Sequence, residues 1–271
     1  MQIKYGLLER IRNISSVEMD FLLYVARFQN LKGCVVGIHH KDVEDGAGIC
    51  KQSFYTAMRG LESKGIIRAE KGDRSDWDIT ILGNDFSYDG AWYEGYVNLH
   101  RKVFRTSRFQ KLKAREKWML MYFLKITHEN SSSYCIGTST FYDKFATLLG
   151  VTKRVVRSYL HSLRHFFSVG IQRGLYYITY KHSVFEARQA EGMESVWMEK
   201  FVSSCCRRSG IESDRKEVED AAFLLKQYRA RFGQDQGTGP LGEAIRANAE
   251  LPGKRLNARF VHKVLKGLLE I

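Results

Sequence analysis

One order of elements is written twice in the hydrophobic pattern of this chain. In the first copy, "VEMDFLLYVARF" (17–28) carries apolar residues at helical spacing and "CVVGI" (34–38) reads as a short strand. "HKDVEDGAG" then reads as a short, acidic, glycine-rich helix and "CKQSFYTAMRGLESKGII" (50–67) as a longer one, before "IIRAE" and "WDITIL" form two strands joined by "KGDRSD". In the second copy, "EKWMLMYFLKI" (116–126) is a helix, "SYCIG" a strand and "TSTFYDKFATLLG" a helix that Thr138 or Ser139 would cap. "VTKRVVRSYLHSLRHFF" follows as a third helix, and "IQRGLYYITYK" (171–181) as a hairpin turning at Arg173–Gly174. The repeat is one of element order, not of residue identity. It predicts a mainly α chain with small β hairpins, an α+β class.

At 271 residues the chain is long for one core, and about two or three domains are expected. The copies occupy 1–87 and 116–182. Between them, 88–115 begins aromatic and glycine-rich and ends in "HRKVFRTSRFQKLKAR", which reads as a basic linker containing a strand or extended arm, "YVNLHRKVF". From 183 to 271 the pattern is helical, at about 194–206, 215–232, 242–249 and 256–270, with "GQDQGTGP" as a flexible connection. Val218, Ala221, Ala222, Leu225, Tyr228 and Phe232 mark one apolar face. That face and the one on "FVHKVLKGLLEI" are too wide for isolated helices, and must pack on each other, on the two copies, or on a second chain. A homodimer or another protein partner through these helices is expected.

Lysine and arginine number 43 against 30 acids, a formal net charge of +13. A surplus of that size opposes compaction and points to an anionic partner, nucleic acid or an acidic membrane surface. No apolar run reaches bilayer-spanning length and "MQIKYGLLERIRN" has no uninterrupted apolar core, so no membrane association and a cytoplasmic, nucleoid-associated location are expected. Five scattered cysteines without C-x-x-C spacing read as reduced thiols, and Cys205–Cys206 as packing on an apolar face. His161 and His165 stand one helical turn apart without a third ligand, so no metal is expected. No phosphate-binding loop, dinucleotide fingerprint or nucleophile elbow occurs, and no cofactor or enzymatic activity is expected, although a recombinase can be built from scattered carboxylates.

In 145–163, "FATLLGVTKRVVRSYLHSL", Ala146 sits where two crossing helices need a small residue, Gly150 where a tight turn needs a left-handed backbone, and Val156 where the second helix packs back on the first. This stretch resembles the helix-turn-helix of bacterial DNA-binding proteins. In the first copy Ser53, Tyr55, Ala57, Leu61, Lys64, Gly65, Ile66 and Ile67 resemble the passage from recognition helix into wing of many regulators and phage or plasmid replication proteins. The resemblance covers about two thirds of the chain and implies two winged helix-turn-helix domains plus a helical C-terminal domain.

The face patterns name candidate DNA contacts. In the second copy Val156, Tyr159, Leu160, Leu163 and Phe167 share one side, and Thr152, Lys153, Arg154, Arg157, Ser158 and His161 the other, with no acid between Thr152 and Ser168. In the first, Phe54, Ala57, Met58 and Leu61 point inward, and Lys51, Gln52, Ser53, Tyr55, Thr56 and Arg59 outward. An exposed helix face is polar in any case, but a merely solvated one usually mixes signs. Arginine suits guanine edges and phosphates, glutamine adenine, and Arg157 is placed for a guanine edge. Lys71 and Arg74 sit at the first hairpin tip, where Asp73, Asp76 and Asp78 counter them, and Arg173 sits at the second. Arg101, Lys102 and Arg105, in the linker, would track phosphates. The expected function is sequence-specific binding of double-stranded DNA in transcription regulation, with initiation of plasmid or phage replication as the alternative.

Overall fold

The structure is a computed structural model describing residues 1–72, 76–87, 95–99, 103–104, 106–129, 133–181, 193–232 and 238–269. It is mixed α+β with three small antiparallel sheets. The first unit runs α2 (Ser16–Ala26), β2 (Cys34–Ile38), α3 (His40–Ala47), α4 (Lys51–Ser63), β3 (Ile67–Lys71) and β4 (Trp77–Ile81), with strand order β2-β4-β3. The second runs α6 (Ala114–Glu129), β6 (Ser133–Gly137), α7 (Thr138–Leu149), α8 (Lys153–Leu163), β7 (Phe167–Gln172) and β8 (Leu175–Tyr180), with order β6-β8-β7. The two units therefore share one connectivity.

Local chemistry sets the boundaries. A capping box starts α2: the Ser15 hydroxyl accepts from the Glu18 amide at 3.2 Å, and Glu18 accepts from the Ser15 amide at 2.7 Å. The helix pairs of both units are separated by left-handed glycines, Gly48 at φ 68° and Gly150 at φ 60°. At Gly150 an added methyl group would meet nothing within 4 Å, so the demand is on the backbone alone. Gly150→Ala should therefore cost about 1–2 kcal/mol, and Gly150→Asn less, since asparagine visits this conformation. Urea denaturation of the two variants checks the ranking, and equal stability of Ala and Gly at 150 would contradict it.

Three local expectations need correction. Neither Thr138 nor Ser139 caps α7: the cap position is Gly137, the Thr138 amide donates to the Gly174 carbonyl at 2.9 Å, and the Ser139 hydroxyl turns to Asp143. Helix α8 stops at Leu163, because buried Phe166 and Phe167 are drawn into the turn and the first position of β7, where Phe167 pairs with Tyr180. Thr238 and Pro240, expected in a flexible connection, belong to the first turn of a helix, while 233–237 lie outside the described residues.

The described part of the region between the copies packs into the molecule. β5 (Tyr96–Asn98) pairs with β1 (Gln2–Lys4), and Leu99, Val103, Phe104, Phe109 and Leu112 are buried, the last two at and just after the short α5 (Ser107–Gln110). One hydrophobic core runs through both units and through α1 (Tyr5–Arg10). Trp118 of α6 is fully buried and donates its indole N–H to the Leu8 carbonyl at 2.8 Å, and Lys117 pairs with Asp20 of α2.

The C-terminal helices α9 (Met193–Ser209), α10 (Arg215–Phe232), α11 (Thr238–Arg246) and α12 (Ala258–Leu269) close around a second core. Ala221, Ala222, Leu225 and Tyr228 of α10 and Val261 and Leu265 of α12 are buried in it. The apolar faces that called for a second chain are thus covered within this one. Helix α9 also packs on β2: Gly37, at φ 65°, lies so close that a Cβ there would fall 1.8 Å from the Ser204 hydroxyl. Cys206 is buried and Cys205 half-buried in this bundle, and burial pushes their thiols up to about 11 and about 12, which suits packing and not redox chemistry. Among the described residues, no helix is long and apolar enough to cross a membrane.

Candidate functional site

Helix α8 presents the most one-sided surface of the units. Thr152 is its N-cap and accepts from the Val155 amide at 3.4 Å, while Val156, Leu160 and Leu163 are buried. Arg154, Ser158 and His161, at i, i+4 and i+7, are exposed along one stripe. Lys153 is exposed too, but its ammonium lies 2.5 Å from Asp143 of α7, and this hydrogen bond holds the Asp143 carboxyl below its ordinary range.

Arg157 takes a different direction from that stripe. Its guanidinium lies 5.5 Å from the Tyr142 ring centroid. With Arg164, His161, Thr138, Leu160 and Tyr176 it lines a hollow of about 480 Å³ between α8, the start of α7 and β8. The Tyr142 and Tyr176 hydroxyls are 2.6 Å apart, and burial, then the bond to Tyr142, pushes Tyr176 up to about 12. The phenol at Tyr176 is therefore neutral and able to donate. Among the described residues, no carboxylate lines this hollow. Two guanidiniums, two phenols and a threonine at a helix start line it.

Helix α4 repeats the arrangement with fewer cations. Lys51, Gln52, Thr56 and Arg59 are exposed, whereas Phe54, Ala57, Met58 and Leu61 are buried. Ser53 and Tyr55 are half-buried and do not project as expected. The Ser53 hydroxyl accepts from the Cys50 thiol at 3.3 Å, and the Tyr55 ring packs edge-on against Phe54 and Trp77. The Thr56 hydroxyl donates to the Gln52 carbonyl. Gly65 at φ 63° and buried Ile66 and Ile67 lead from α4 into β3.

The hairpins differ. At the second tip, Arg173 (φ 49°) and Gly174 (φ 74°) form the turn, and Arg173 is exposed beside an exposed Ile171. At the first, Lys71 is exposed, while Arg74 lies outside the described residues, as do Arg101, Lys102 and Arg105. Arg108 is described: its guanidinium meets the His165 imidazole, whose pKa is lowered by burial and then by Arg108.

Of the carboxylates expected to counter the first hairpin, Asp76 and Asp78 are engaged elsewhere, and Asp73 lies outside the described residues. Asp76, fully buried, accepts from Arg207 of α9 at 2.9 and 3.2 Å, and Asp78 accepts from Arg208 at 2.7 Å. Arg207 reaches Asp42 of α3 at 3.2 Å and the Gly37 carbonyl at 2.7 Å as well. Lys200 completes the network on Asp42, where burial raises the carboxyl's pKa but Lys200 and Arg207 together hold it low. Three cations of the C-terminal bundle thus face three aspartates of the first unit. These partners lie more than a hundred residues apart, and on α9 Lys200 and Ser204 share the face of Arg207.

Compared with known proteins, the chain matches no family model, no curated protein and no solved structure.

Proposed function

We propose that each α+β unit is a winged helix and that the chain is a sequence-specific double-stranded DNA-binding protein. The observation that carries this reading is the outward face of α8. It holds Lys153, Arg154, Ser158 and His161, with Arg157 turned beside it toward Tyr142, its helix contains no acid, and it stands one glycine turn from α7. In this reading Arg154, Ser158 and His161 enter the major groove, and α4 offers Lys51, Gln52 and Arg59 to a second segment. Arg157 and Arg164 turn toward the hollow and hold a backbone phosphate there. The excess positive charge supports the same partner.

The roles separate by mutation. Arg154→Ala should cost about 1–3 kcal/mol on the preferred site and relax selectivity at one base pair. Arg157→Ala should weaken preferred and random duplexes alike and reduce the salt slope by about one. Fluorescence anisotropy on both duplexes checks this, and parental affinity in both variants would remove α8 from the interface. Mapping of bound DNA across the genome assigns the biological role. Sites in promoters fit a transcription regulator, and repeated sites at an origin fit a replication initiator.

A further inference from the structure

Helix α12 was expected to pack on the other C-terminal helices, on the two copies or on a second chain. Its apolar residues Val261 and Leu265 are fully buried in the bundle core, so that role is discharged inside the chain. What remains outward is Arg259, His262, Lys263 and Lys266, all exposed and spaced at i, i+3, i+4 and i+7 along one stripe. Between Ala258 and Leu269 the sequence contains no acid. The Asn257 carboxamide caps the helix by accepting from the Arg259 and Phe260 amides, which fixes where the stripe begins.

The neighbouring helix shows what an ordinary solvated face of this bundle looks like. On α10, exposed Arg215 and Lys216 alternate with Glu219 and Asp220, and Arg215 is bonded to Glu219 at 2.7 Å. Arg255, just before α12, is held by Asp214 and Glu217 at 3.0 and 2.7 Å. Arg215 of α10 and Arg255 of its flank are held by the bundle's own carboxylates. From Arg259 to Lys266 the α12 stripe carries no acid, and its His262 is within hydrogen-bond distance of the Tyr228 hydroxyl at 3.3 Å.

We propose that the outward face of α12 is a third contact with duplex DNA, in which Arg259, Lys263 and Lys266 hold backbone phosphates. The inference rests on duplex DNA being the partner, but on no residue of α4 or α8. A basic amphipathic helix can also lie on an anionic membrane, but it does so by inserting its apolar face. Here that face is committed to the core, which leaves charge as the means of attachment, and evenly spaced cations on a rigid helix suit a phosphate backbone. The bundle is joined to the first unit through Arg207, Arg208 and Lys200, so the stripe stands at a set position relative to α4 and adds to binding without a tether to order.

The test compares the full chain with a triple variant, Arg259→Ser with Lys263→Ser and Lys266→Ser, and with Arg154→Ala. All the substituted side chains are exposed, and an unchanged thermal midpoint verifies the fold. Affinity for a long mixed-sequence duplex is measured over a range of salt. The triple variant should lose about two to three from the slope of log affinity against log salt, and weaken equally on preferred and random sequence. An unchanged slope with Arg154→Ala weakened overturns the α12 contact and leaves the α8 reading standing. A reduced slope with Arg154→Ala unchanged supports the α12 contact and removes α8. No duplex binding by the parent overturns both. A triple variant that keeps its duplex affinity but loses binding to phosphatidylserine vesicles overturns the proposal in favour of a membrane surface.

Discussion

Asp76→Ala should destabilise the protein by about 1.5–3 kcal/mol, the range for charge-assisted hydrogen bonds lost at a buried carboxylate. Asp76 is fully buried, while Arg207 and Arg208, 28% and 23% exposed, keep Asp42, the Gly37 carbonyl and Asp78 as partners when it is removed. The effect should be local before it is global. The two cores are separate, so the bundle should loosen while the units stay folded, with faster hydrogen exchange in α9 and β2 than in α6. Asp78→Ala supplies the contrast. Asp78 is 37% exposed and accepts from Arg208 and from the Gly37 amide, and its loss should cost about 1 kcal/mol. Asp76→Ala with unchanged denaturant midpoint and unchanged exchange in α9 would show that packing alone, and not the ion network, holds the bundle.

The second large effect concerns salt. If exposed cations on α4, α8, the second hairpin and α12 meet phosphates, log affinity for duplex DNA should fall linearly with log salt, with a slope of about minus five to minus eight for about six to nine contacts. Raising salt from about 50 to about 200 mM should then weaken binding about a thousandfold to a hundred-thousandfold. Cations already paired within the protein, such as Lys64 with Glu18 or Arg255 with Asp214 and Glu217, release few counterions and add little. A slope shallower than about minus two would sink the electrostatic role assigned to the surplus charge.

Much of the element order was legible because periodicity is local. Strands Cys34–Ile38 and Ser133–Gly137 and helix Arg215–Phe232 fall where the pattern places them, and Gly150 adopts the left-handed backbone that its position demanded. Expectations failed where tertiary demand overrides pattern. Phe167 has helical spacing from Val156 and Leu160, yet its ring is needed at the start of a strand. The linker's Phe104, Phe109 and Leu112 look like aromatics scattered among cations, but they fill a core whose other walls come from both units. In the site, burial of one α8 face and exposure of the other follow from spacing alone. The turn of Arg157 toward Tyr142 does not, because Tyr142 sits on a different helix and Tyr176 on a strand. The Asp76–Arg207 pairing left even less trace, since ion pairs across such separations have no periodicity.

The core shared by the two units has a consequence for what such a protein measures. Two binding modules on a slack linker tolerate many separations of their targets. Here Trp118 is bonded to Leu8, Lys117 to Asp20, and β5 to β1, so α4 and α8 keep one offset and one relative orientation. On a duplex, whose faces rotate through a full circle about every 10 base pairs, a fixed offset is also a fixed phase. On the DNA-binding reading proposed above, the molecule acts as a caliper, and the distance between two sequence elements becomes part of what it recognises.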